Sequence, residues 1–200
     1  MAAIINEIIP QQSFEIVLNK IGVILFEELT KQKELVPEND DFAVYIERLE
    51  SYDNSEDVMI NVSLSNISQS GLNLKDSQGQ TTYFIDVYTG GSESSSKTGS
   101  DDVKNKLHKY VGMIRYVLSS AKYPFLGFAP GFLGGKAVEQ IQFQDNLNAG
   151  DASFIRFARI TFTVRVMENQ QMTTPIPLTG NDTNTILELT EKGYKLTQNN

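Results

Sequence analysis

The chain has no cysteine, no tryptophan and one histidine, and no apolar run approaches the roughly 20 residues that span a bilayer. Each shortage removes a class of chemistry. Without cysteine there is no disulfide framework, no thiol nucleophile and no Cys-ligated zinc, which agrees with synthesis in a reducing cytoplasm. With His108 alone, no histidine cluster can hold a metal. The opening MAAIINEIIPQQ lacks the basic region and long apolar stretch of a signal peptide, so the expectation is a soluble chain with no membrane partner, not exported by that route. At 200 residues the sequence fits one domain able to bury a core without staples.

Net charge is −8 and unevenly placed. Between Glu27 and Asp57 eleven acids face three bases, Lys31, Lys33 and Arg48, which accounts for the whole excess. Phe154 to Met167 carries Arg156, Arg159 and Arg165 with no acid. An acidic and a locally basic surface would let copies meet head to tail; ordinary solvated charge is the plain alternative. No basic face suits phosphate neutralisation along DNA.

Periodicity supplies the elements. Phe14, Val17, Leu18, Ile21, Ile24, Leu25 and Leu29 recur at three and four, predicting a helix over 13–32 with Ser13 as its N-cap. Phe42 to Ile46, Val58 to Leu64 and Tyr83 to Val87 alternate with period two, as strands covered on one side do. A second helix is predicted over 101–121, with Val103, Leu107, Tyr110, Val111, Ile114, Val117, Leu118 and Ala121 on one stripe, Ser100 as cap, Asp101 and Asp102 at its positive end and Lys122 at its negative end. His108 lies off that stripe, near Lys104 and Arg115, as a surface residue. Lys136–Gln144 and Ala152–Met167 read as a final hairpin joined by QDNLNAGDA. The switch of phase between Ile155, Phe157 and the later Ile160, Phe162, Val164 predicts a bulge near Phe157 and Ala158. After Glu168 the pattern weakens, leaving a short ILEL strand and a polar end. The fold class that follows is α+β: a mostly antiparallel sheet with two main helices packed against it, a domain over 1–169 and a C-terminal extension or arm over 170–200.

Catalytic motifs are thin. Gly91 to Thr98 matches the phosphate-binding pattern G-x-x-x-x-G-K-[ST] except that Ser96 stands at the second glycine, and Glu93 would bring negative charge to the nucleotide. The helix also starts too late to place Lys97 and Thr98 in its first turn, and no magnesium carboxylate follows. A Ser/Gly surface loop is the better reading; a nucleotide-binding enzyme using 91–98 is the alternative. Asp86 lacks the companion carboxylates and lysine of a metal-dependent nuclease. No G-x-S-x-G elbow occurs. No cofactor and no catalytic residue is expected.

The segment KYPFLGFAPGFLGG, Lys122 to Gly135, is more telling. Phe125, Leu126, Phe128, Phe132 and Leu133 sit where two prolines and four glycines prevent regular structure, so they either fold back under the helix over 101–121 or fill a groove on another subunit. With Arg156, Arg159 and Arg165 they form the candidate subunit or partner interface.

The segments SFEIVLNKIGVILFEEL, TTYFIDVYTGG, DDVKNKLHKYVGMIRYVLSSA and FIRFARITFTVRVMEN, in that order over residues 13 to 168, resemble the tail terminator, or tail completion, proteins of tailed bacteriophages. The resemblance implies an α/β fold with helices against a sheet. It also implies a hexameric ring that caps the tail tube in the virion, contacts the tail tube protein and the head–tail connector proteins, and lets DNA pass through its lumen without specific binding. Another neck component, including a sheath-associated one, is the nearest alternative. The stretch from about Gln170 departs from that pattern.

Overall fold

In the computed structural model the described residues are 8–49, 52, 57–70, 77–92, 99–144, 153–168, 184–190 and 193–199. The chain divides into two compact units, Met1–Gln170 and Gln171–Asn200. The first contains α1 (Ser13–Leu35), β1 (Phe42–Ile46), β2 (Val58–Ser70), β3 (Ser77–Ser92), α2 (Gly99–Ser119), β4 (Leu133–Gln144) and β5 (Ser153–Glu168). The second is a hairpin of β6 (Asn184–Thr190) and β7 (Gly193–Asn199), antiparallel with Leu187 opposite Leu196. The sequence reading had one strand here and a polar end. Tyr194 and Leu196 alternate with Lys195 and Thr197 over too few residues to mark a strand, so pairing to its neighbour identifies the second one.

The five strands lie in the order β1-β2-β3-β5-β4. Every pairing is antiparallel except β1 with β2, which runs parallel with Val44 opposite Ile60. Alternation then sorts the side chains into two faces. Val58, Ile60, Val62, Tyr83, Ile85, Val87, Ile160, Phe162, Val164 and Val166 point to one face and are buried in a single core with α1 and α2. Both helices therefore cover the same side. Within the first unit no described helix or strand is layered on the other face, although Met59 and Phe157 are buried there.

α1 buries Val17, Leu18, Ile21, Ile24, Leu25 and Leu29, the expected stripe apart from Phe14, which is half-buried. Each such side chain contributes about 2 kcal/mol on leaving water. Its N-cap is Gln12, not Ser13: the Gln12 backbone N–H donates to the Glu15 carboxylate at 3.1 Å, and the chain begins winding one residue earlier than a serine cap would have it. Ser100 is likewise no cap, because α2 already starts at Gly99 and carries Ser100 inside its first turn. At the other end of α2, Lys136 of β4 takes the role expected of Lys122. Its ammonium donates to the carbonyls of Leu118 at 2.6 Å and Ser120 at 3.2 Å, and burial lowers its pKa. Buried hydroxyls tie the layers together: Tyr83 donates to the Phe14 carbonyl at 2.9 Å and Tyr110 to that of Asp40 at 2.6 Å.

The bulge expected at Phe157 and Ala158 is absent, and β5 pairs with β3 without a break from Ser153 to Glu168. Irregularities fall instead in β2 between Leu64 and Asn66, and in β4 between Leu133 and Gly135 and between Val138 and Gln140. Phe157 is out of phase with Ile160 because it belongs to the uncovered face, where it packs on Tyr88 at 4.7 Å between ring centroids.

Candidate assembly surfaces

The loop from α2 to β4 folds back on the chain through successive turns. Backbone N–H groups of Tyr123, Leu126, Phe128 and Phe132 donate to the carbonyls three residues earlier. Leu126 is fully buried although its φ is +51°, and Leu133 is 2% exposed, so both belong to the core. Gly127 and Gly131 follow at φ +77° and +95°, conformations that glycine adopts without strain and that reverse the chain on either side of Phe128. Phe125, Phe128 and Phe132 are only partly buried against the core, and the rings of Phe128 and Phe132 pack at 4.6 Å. The five apolar residues thus divide: two leucines face inward, and three phenylalanines keep part of their surface outward.

Tyr123 anchors this loop to α1 by donating its hydroxyl proton to the Glu28 carboxylate. That hydrogen bond, followed by burial and the charges of Glu28 and Glu27, pushes the tyrosine pKa up to about 12. The protonated form is therefore favoured in the fold. Its contribution is whole below the ordinary tyrosine value of about 10 and is lost as pH climbs through 12. Tyr123→Phe should lose less stability than the parent across pH 10 to 12, checked by denaturant titrations at both ends of that window.

The three arginines do not form one patch. Alternation puts Arg156, opposite Thr89, on the other face from Arg159 and Arg165. Arg159 lies on the uncovered face and makes a bidentate pair with Asp86, both N–H···O distances being 2.8 Å. The Asp86 side chain is 7% exposed and that of Arg159 36%. The guanidinium sits 4.3 Å over the Phe84 ring and 5.6 Å from that of Phe157, and its pKa is raised first by the hydrogen bond to Asp86, against the opposing effect of burial. Tyr88, stacked on Tyr52 at 6.0 Å, is also raised, chiefly by burial. Arg165 is exposed and lines a groove of about 290 Å³ with Gln80, Lys136, Glu139 and Thr163.

Sequence reasoning missed this Asp86–Arg159 pair. The available signal was a carboxylate in the middle of an apolar strand, which needs a cation across the sheet. It also missed a second groove, of about 440 Å³, between the outer face of α1 and β1, lined by Phe26, Thr30, Pro37 and Phe42 with Lys33, Glu34 and Asp41. Beside the acidic turn, Lys106 contacts Asp40 at 3.3 Å, Asp102 at 3.5 Å and Asp57 at 3.8 Å. Burial alone would lower that ammonium's pKa, and the three carboxylates more than reverse it.

Among the described residues, no three His, Asp or Glu side chains converge as a metal site would need. No described helix is long and apolar enough to cross a membrane. His108 is exposed, its ring set edge-on to Phe143 at 5.2 Å. Gly91, first residue of the candidate phosphate loop, lies in the β3 ladder opposite Phe154; residues 93–98, including Ser96, Lys97 and Thr98, fall outside the described residues.

No family model and no curated protein matches the chain. Among solved structures, it is similar to a chain from the virion of a native gene transfer agent (GTA) particle, at 15% identity, covering 72% of this chain and 92% of that one, with a TM-score of 0.44.

Proposed function

We propose that this chain is a non-enzymatic virion structural protein, a ring-forming tail terminator at the head-proximal end of a phage tail. Copies join as a homo-oligomer, in keeping with a hexameric ring. The ring stops growth of the tail tube and offers a docking surface to the head–tail connector, with DNA passing through its lumen without specific binding. Function rests on complementary surfaces and not on catalysis.

The observation that carries this reading is the distribution of unpartnered surface. Within the first unit both helices cover one side of the sheet, no described helix or strand covers the other, and three aromatic side chains stand part-exposed on the loop between α2 and β4. A folded unit with its core closed and its contact surfaces open is what a building block of a larger assembly requires. The four segments that resemble tail terminators supply α1, β3, α2 and β5, which share that core with β2.

The test is the size of the purified full chain by light scattering, with electron microscopy of the same sample, alone and with tail tube protein. Rings that cap tubes and limit their length are the expected result. A monomer that neither assembles nor binds tube ends overturns the proposal.

A further inference from the structure

The two free edges of the sheet differ in charge and in relief. At the β1 edge, residues Glu27 to Leu49 carry seven acids against three bases. Here Phe26 is 54% exposed beside its groove, its ring 6.4 Å from that of Phe42. The Glu34 and Asp41 side chains that help line the groove are 59% and 81% exposed. Along α2 and β4 the balance reverses, with six bases against Glu139 alone between Val103 and Gln144, although Lys106 among them is paired with Asp40, Asp57 and Asp102. There Phe143 is 52% exposed against the His108 ring. Lys104 and Arg115, both exposed, stand four residues before and seven after His108, which puts them on the same side of α2.

From this pairing we propose that the β4 edge of one copy seats on the α1–β1 edge of the next. Phe143 enters the groove between Phe26 and Phe42, and Lys104 and Arg115 face Glu34 and Glu38. Like edges repel, acid against acid or base against base, so a two-fold contact using one edge twice is disfavoured. Opposite edges give a heterologous contact, which repeats from copy to copy and closes where the rotation allows. The inference rests on the ring reading above and names the surfaces that build the ring.

Two kinds of variant test it in the full chain. Phe143→Ser and Phe26→Ser remove the knob and one wall of the groove; each should weaken self-association about 30-fold, the scale of losing an aromatic anchor at a contact centre. Both positions are half-exposed, so thermal melting of the monomer should be unchanged, and that measurement separates lost contact from lost fold. The second kind reverses charge. Glu34→Lys with Glu38→Lys makes the contacting charges basic on both sides, and Lys104→Glu with Arg115→Glu makes them acidic on both sides. Each double variant alone should stay monomeric at concentrations where the parent assembles, while an equal mixture should assemble as alternating copies. If the parent forms rings and these variants do too, or if mixing restores nothing, this contact is wrong and the ring reading stands. A parent that stays monomeric overturns both.

Discussion

Leu126→Ala should destabilise the folded chain by about 3 kcal/mol, while Phe128→Ser with Phe132→Ser should leave the monomer folded and reduce its assembly. The leucine is fully buried in the core shared by the helices and the sheet, and it holds that place at a φ of +51°. A left-handed conformation costs a leucine roughly 1 kcal/mol, so side-chain burial must exceed that strain for the geometry to persist. Truncation to alanine keeps the strain and removes the burial. The two phenylalanines pack on each other at 4.6 Å and only partly against the core, so their removal exposes less new surface. Chemical denaturation and light scattering on both variants decide the matter. A double serine variant that unfolds, or a Leu126→Ala protein as stable as its parent, would mean that the loop is divided differently between core and contact.

That division marks the limit of what could be read from the sequence. The stripes of α1 and α2 were legible because burial every three or four residues is a local property; Val103, Leu107, Tyr110, Val111, Ile114, Val117 and Leu118 are all buried, and only Ala121, beyond the helix end at Ser119, is exposed. The strands were legible for the same reason, through alternation. Strand neighbours were not, because alternation fixes which face a residue takes and says nothing of which strand lies beside it. Hence β1 could not be recognised as the parallel exception. The absent bulge in β5 has a related cause: it was inferred on the assumption that the second face is polar, whereas Phe84, Tyr88 and Phe157 make part of that face aromatic.

The candidate surfaces were legible only in outline. The apolar content of 122–135 demanded burial somewhere, and the structure places Leu126 and Leu133 inside. Which phenylalanines stay partly outward depends on turns set by Gly127 and Gly131. The excess of acid in 27–57 was visible as a count, but its opposition to a basic β4 edge required the strand order. The grouping of Arg156, Arg159 and Arg165 failed as a patch because the even-numbered residue of a strand takes the opposite face from the odd ones.

Asp86 and Arg159 lie 73 residues apart and meet only through the register of β3 on β5, which makes their pair the sharpest test of that register. Asp86→Ala should cost about 2 kcal/mol, below the 3–5 kcal/mol of a fully buried pair because the Arg159 side chain is 36% exposed and keeps some water. Arg159→Met should cost more, about 3 kcal/mol, since it strands the more deeply buried partner while keeping an apolar stem over Phe84. The double variant should cost less than the sum of the two, because neither charge is then left without its partner. Urea denaturation of the four proteins in the cycle supplies the numbers. Additive costs would show that the two side chains act independently, and the register that brings them face to face would then have to be revised.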